Sequence, residues 1–188
     1  DVDGGSGDDV LAGMGGADEI EGGRGDDLLF GGAGDDNLDG GSNNDILFGG
    51  SGDNVLSGGS GDDFIIGGDG NDDIAGGDGN DVIFAGGGFN KVDGGTGDDV
   101  MVFSGAREDY LFTQMEDGQY VIEHLDGGTD GVSLVENVET FQFLDGQYGV
   151  DDMSATNPQD GLMLTYDITI ETGLTDTDGS ETLSDVTI

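Results

Sequence analysis

Between Leu11 and Met101 the chain places an apolar side chain at every ninth residue: Leu11, Ile20, Leu29, Leu38, Leu47, Leu56, Ile65, Ile74, Ile83, Val92 and Met101. Each is the middle of three residues that read as a short strand, with the central side chain pointing to one face. The flanking residues point the other way, and they differ between alternate segments. In one set they are Val10, Ala12, Leu28, Phe30, Ile46, Phe48, Phe64, Ile66, Val82, Phe84, Val100 and Val102. In the other they are mostly polar: Glu19, Glu21, Asn37, Asp39, Ser57, Asp73, Lys91 and Asp93. Strands apolar on both faces are buried on both faces, so the first set predicts a covered or docking surface and the second a solvated one.

The segments between strands complete a nonapeptide. Eleven units run without a break from Gly4–Ala12 to Gly94–Val102, each of the form Gly-Gly-x-Gly-x-Asp-x-apolar-x. Three glycines in four positions permit positive φ and close backbone approach, so the stretch turns and its carbonyls can converge. The carboxylate at position six then adds a hard oxygen donor beside them, which is calcium chemistry. Two units make one flattened coil of turn, strand, turn, strand, so odd and even units fall on opposite sides. Residues 1–3 match the last three positions of a further unit, and the array is expected to extend N-terminally.

This pattern resembles the RTX (repeats-in-toxin, hemolysin-type) calcium-binding family of secreted proteins, over slightly more than half of the chain. The resemblance implies an all-β fold, a right-handed parallel β-roll over residues 1–102, with one calcium ion between adjacent turns on each side. The odd ladder is Asp9, Asp27, Asp45, Asp63, Asp81 and Asp99, and the even ladder is Asp18, Asp36, Asn54, Asp72 and Asn90. The candidate carbonyl donors are Gly5, Gly7, Gly23, Gly25, Gly32, Gly34, Gly41, Asn43, Gly50, Gly52, Gly59, Gly61, Gly68, Gly70, Gly77, Gly79, Gly95 and Gly97. About nine sandwiched ions follow, those next to Asn54 and Asn90 held more weakly because an amide oxygen is neutral. The unit Ala85–Asp93 is the most degenerate, and its site is expected to be empty or distorted.

Composition sharpens this picture. Against 43 acidic residues stand 3 basic ones, a formal net charge of -40. Such a chain repels itself when compact, and bound cations relieve that repulsion. It also makes nucleic acid and anionic membranes poor partners. Cysteine is absent and His124 is the single histidine, so thiolate and imidazole metal sites are excluded and oxygen ligation is left. One buried aliphatic side chain per nine glycine-rich residues is a thin core, so the metal is expected to be structural and the metal-free chain largely unfolded. No apolar run is long enough to span a membrane, and residues 1–20 carry no signal peptide.

After the array, residues 103–149 read as a small antiparallel β capping module. Glu108–Gln114 and Gln119–Leu125 are expected strands around Glu116-Asp117-Gly118, and Val132–Phe143 a short turn or helix running into a strand. Phe103-Ser-Gly, Tyr110, Gly127-Gly-Thr-Asp-Gly131, Asn137-Val-Glu and Phe143-Leu-Asp-Gly146 resemble the module that follows RTX arrays in substrates of type I secretion. Residues 150–188 read as a linker, Asp151–Gln159, and then strands beginning with Leu162–Ile170, similar to the opening of immunoglobulin-like repeats of large bacterial adhesins. Asp176, Asp178 and Glu181 are a candidate linker calcium site.

No nucleophile elbow, phosphate loop or zinc helix is present, so no catalytic residue is expected. His124 is read as a satisfied or surface histidine, and Arg24-Gly25-Asp26 as repeat filler before an integrin-type tripeptide. An ice-binding row is discounted because Thr96 is the array's only threonine. The expectation is a monomeric, calcium-dependent module of a secreted or cell-surface adhesin of a Gram-negative bacterium. Its partners would be calcium, the type I secretion machinery, and its own C-terminal strands or a neighbouring domain on the apolar face. The alternative is the secretion and folding appendage of an RTX protease, lipase or alginate epimerase.

Overall fold

The computed structural model describes residues 1–153, which belong to one compact unit. Each nonapeptide contributes one strand, and from Val10–Gly15 to Asp73–Asp78 the strand has six residues, twice the expected length. It begins at position seven and continues through the first three residues of the next unit, because the glycine-rich backbone keeps pairing with the coil above. The even side carries β1 (Val2–Ser6), β3 (Glu19–Arg24), β5 (Asn37–Ser42), β7 (Val55–Ser60), β9 (Asp73–Asp78) and β11 (Phe89–Thr96). The odd side carries β2 (Val10–Gly15), β4 (Leu28–Ala33), β6 (Ile46–Ser51), β8 (Phe64–Asp69), β10 (Val82–Gly86) and β12 (Val100–Val102). Neighbours on each side are parallel and offset by 18 residues, as Leu29 to Leu47 and Leu38 to Leu56. This is a parallel β-roll, and its coil is two units long.

From Ile20 to Met101 every position-eight side chain is fully buried between the two sheets. On the first rungs Val2 and Leu11 are only partly buried against this core. Removing an aliphatic side chain of this size from water contributes about 1.5–3 kcal/mol, one increment per unit.

After Phe103 the chain leaves the roll for a hairpin and then returns to it. A short 3-10 turn at Arg107–Asp109 precedes β13 (Tyr110–Gln114), which pairs antiparallel with β14 (Tyr120–His124) across the expected turn. A second 3-10 turn, Leu125–Gly127, leads to β15 (Val132–Glu136) and β16 (Thr140–Phe143). Val132–Phe143 therefore contains two strands and no helix, a correction to the expectation, and the reason is register. β15 pairs parallel with β11, setting Val135 opposite Val92, and β16 pairs parallel with β12, setting Phe141 opposite Met101. Gly131, with φ 58°, occupies the place of a fourth-position glycine, so Gly128–Glu136 is a degenerate repeat unit with Ser133 at position six. Asn137–Gln142 is a shortened one. Together they add a coil to the roll, and β14 and β17 (Gly146–Gly149) then pair antiparallel with its two edges.

The end of the roll is filled by aromatic rings. Phe103 stacks on Phe143 with centroids 4.8 Å apart, and Tyr110, Phe112, Phe141 and Tyr148 pack around them. The Arg107 guanidinium lies 4.2 Å over the Phe112 ring. Val150–Met153 form a turn of helix, α1, with Met153 buried, where a linker was expected. Leu162–Ile170 and the acidic trio at Asp176, Asp178 and Glu181 lie outside the described residues.

Among the described residues the strands after the array join the sheets edge to edge and do not lie over the odd outer face; the strands expected beyond Met153 lie outside the described residues. Val10 and Ile46 stay 73% and 40% exposed there. Phe30, also exposed, stacks on Phe48 at 5.0 Å, and Phe64 packs against Phe84 at 5.4 Å along the stripe. On the even side, mostly polar, Val55 and Phe89 are the exposed exceptions.

Candidate metal centres along the turns

The three glycines of a unit serve two different needs. Positions two and four have positive φ in every unit, from Gly5 and Gly7 (86° and 109°) to Gly95 and Gly97 (104° and 140°). The two non-glycine occupants, Met14 (77°) and Asn43 (83°), adopt the same conformation, Asn at a lower steric cost. Position one is not left-handed; it is crowded. A Cβ on Gly22 would lie 2.6 Å from Asp27 Oδ2 and 2.6 Å from the Gly40 carbonyl oxygen of the next coil. The same pair of oxygens, the unit's own Asp and the next coil's first carbonyl, recurs at Gly4, Gly31, Gly40 and Gly58. The carbonyls of positions two and four also stack between coils, so that a Cβ on Gly23 would meet Gly5 O and one on Gly25 would meet Gly7 O.

The position-six side chains form two ladders within these turns. On the odd side the Asp9 N–H donates to Asp27 Oδ1 (2.8 Å), Asp27 to Asp45 (2.7 Å), Asp45 to Asp63 (2.7 Å), and so on through Asp81 to Asp99 (2.8 Å). On the even side Asp18 donates to Asp36, Asp36 to Asn54, Asn54 to Asp72 and Asp72 to Asn90, at 2.9–3.0 Å. From Asp27 and Asp36 onward, one oxygen of each carboxylate is thus committed to the backbone. The other, Oδ2, is buried and has no partner at Asp9, Asp18, Asp27, Asp36, Asp45, Asp63, Asp72, Asp81 and Asp99.

A buried carboxylate oxygen without a donor is costly, and an array of them needs a cation. Loss of solvation, reinforced by neighbouring carboxylates and opposed by the amide hydrogen bond, pushes Asp63 up to about 7 and Asp45 and Asp99 up to about 6. Asp72 and Asp81 are raised as well, chiefly by burial. Among the described residues no three His, Cys, Asp or Glu side chains converge. Each centre therefore offers one carboxylate oxygen with surrounding backbone carbonyls, a hard, all-oxygen and flexible donor set that fits calcium and not zinc or copper.

The asparagines close their turns differently. Asn54 keeps the Asp36 N–H on Oδ1 and turns Nδ2 to the Gly52 carbonyl at 3.1 Å. Asn90 likewise accepts from Asp72 and donates to the carbonyls of Gly86 and Gly87, at 3.1 and 3.3 Å. In both, an amide N–H occupies the place of the orphaned oxygen and satisfies turn carbonyls without a metal.

A second ladder sits at position five, which the sequence reading treated as variable. There Asp8 accepts the Asp26 N–H (3.0 Å), Asp26 that of Asn44 (3.2 Å), and Asn44, Asp62 and Asn80 continue the row. On the other side Asp35, Asp53 and Asn71 do the same. It runs opposite to the buried one, each side chain reaching forward along the roll. The signal was present, since nine of eleven units carry Asp or Asn at this position. Asp26 of the Arg24-Gly25-Asp26 tripeptide is one of its rungs. His124 packs its ring against Tyr110 at 4.4 Å and accepts the Asp130 N–H on Nδ1. Asp130 in turn accepts from the Ser104 N–H and the Tyr110 hydroxyl, tying the return loop to the hairpin.

The model of the RTX calcium-binding nonapeptide repeat family, described as four copies, matches residues 3–38, 39–74 and 75–105. No curated protein matches. Among solved structures the extracellular lipase LipA of Serratia marcescens is similar at 19% identity, with a TM-score of 0.32 over 61% of this chain and 14% of the lipase. This chain therefore spans about one seventh of that protein's length. No helix among the described residues is long and apolar enough to cross a membrane.

Proposed function

Since the chain belongs to the RTX calcium-binding nonapeptide-repeat family, a family of secreted proteins, we propose that it is a calcium-folded, non-enzymatic module of a secreted or cell-surface adhesin. The observation that carries this reading is the row of buried, unpartnered Asp Oδ2 atoms in the turns. Five odd centres, at Asp9, Asp27, Asp45, Asp63 and Asp81, and three even ones, at Asp18, Asp36 and Asp72, lie between stacked repeat turns. Each ion is held by that oxygen and by turn carbonyls of the two coils. The Asn54 and Asn90 turns are closed by their amides and take none; weaker binding was expected beside both, and an empty or distorted site in the unit that carries Asn90.

In a calcium-poor cytosol the carboxylates repel and the roll stays open, a state suited to passage through a type I secretion channel. Extracellular calcium then neutralises the turns and the roll closes. The adhesin assignment rests on the resemblance of residues 150–188 to the opening of adhesin repeats. The buried carboxylates of the turns are engaged in the ladders, which supports a structural role for them. Equilibrium dialysis of the full chain against millimolar calcium, with magnesium in parallel, tests the proposal. At least eight calcium ions and no comparable magnesium uptake are expected; no calcium uptake would refute it.

A further inference from the structure

Building on the calcium reading of the array, we propose that the odd ladder ends in one more calcium site, made between the last repeat turn and the non-repeat segment Asn137–Glu139. The site staples the capping strands to the roll. Three observations place it. Asp99 is fully buried, and its Oδ2 has no partner although no nonapeptide follows it on the odd side. Its N–H donates to Glu139 Oε2 at 2.8 Å, the bond that each earlier Asp makes to the carboxylate one coil ahead. A Cβ on Gly94 would meet both Asp99 Oδ2, at 2.7 Å, and the carbonyl oxygen of Asn137, the pair of oxygens seen at every earlier odd turn.

Asn137 thus supplies the first-position carbonyl and Glu139 the position-six carboxylate of an abbreviated turn. Asn137 holds a left-handed φ of 51°, and its Nδ2 donates to Asp93 Oδ1 at 2.7 Å, which fixes the carbonyl's direction. The ladder continues past the site, since the Thr140 N–H bonds Asp99 O at 3.0 Å as Val100 bonds Asp81 O. On the even side the equivalent positions are Asn90 and Ser133, an amide-closed turn facing a hydroxyl, and no site forms there. The asymmetry makes cap docking calcium-linked through the odd sheet alone.

Calcium counts on the folded full chain test this. The wild type binds nine ions, eight in the array and one at the cap. Asp99→Asn, Glu139→Lys and the double variant each bind eight, because both side chains serve one site. Glu123→Lys, an exposed cap residue with the same change in charge, retains nine. Glu139→Gln keeps the oxygen that accepts the Asp99 N–H, as Asn54 does for Asp36, so its cap folds and the ninth ion is retained. Retention of nine ions by Asp99→Asn or by Glu139→Lys, or loss of two ions in the double, overturns the proposal. A wild type that binds no calcium refutes the array reading instead.

Discussion

Asp63→Asn should shift stability in opposite directions with and without calcium. In the wild type Asp63 Oδ1 accepts the Asp45 N–H at 2.7 Å, while Oδ2 is buried without a partner and desolvation pushes the carboxyl up to about 7. Asparagine keeps the first bond. Its Nδ2 falls where Asn54 places its own, in reach of the turn's fourth carbonyl, here Gly61. Relief of a buried, unsatisfied polar group is worth about 1–3 kcal/mol, so the metal-free variant is the more stable protein. With calcium the variant forgoes one ion, about 2.7 kcal/mol when free calcium is a hundredfold above the site's Kd. Urea melts followed by circular dichroism, in chelator and in calcium, give both numbers. Trimethylamine N-oxide in both buffers shifts the metal-free chain toward the folded roll. A variant less stable than wild type in chelator, or one gaining as much from calcium as wild type, would refute the reasoning.

Three further outcomes follow from the same geometry. Asn54→Asp removes the amide that closes its turn, so equilibrium dialysis should find one ion more than in the wild type and urea melts a less stable metal-free roll. Leu47→Ala empties a fully buried position and should cost about 2–5 kcal/mol in calcium, read as a lower urea midpoint with an unchanged ion count. The metal-free roll should strengthen as pH falls from 7 to 4: Asp45, Asp63 and Asp99 titrate near 6 to 7 when folded against about 3.9 unfolded, so the folded state binds more protons in that window and its penalty disappears below it. Calcium affinity should move the other way, falling as protons compete below pH 6 to 7, and titrations at pH 5 and 7.5 check the pair.

The array was legible because its spacing encodes space as well as secondary structure. A side chain at position one strikes the Asp oxygen, an ordinary L-residue at positions two and four meets a left-handed backbone, and position eight has room for one aliphatic group. What stayed hidden obeys the same rules with different residues. Gly128–Glu136 is a repeat unit whose Asp has become Ser133, reached after the hairpin breaks the period. Glu139 stands in a ladder of aspartates with one extra methylene and three fewer turn residues before it. The position-five ladder was missed because its bonds go to backbone N–H groups one coil away, a partner that no local pattern displays. The outer odd face was read correctly as apolar, but the capping strands found unpaired sheet edges, where backbone hydrogen bonds compel pairing more strongly than an apolar stripe invites cover.

The most direct test of the central claim is small-angle scattering of the full chain at neutral pH, in excess chelator and then in millimolar calcium. The account predicts an expanded chain whose radius of gyration falls as the turns fill. A particle of the same dimensions in chelator and in calcium would contradict it, because a roll that closes with its carboxylate oxygens unpartnered does not need the metal.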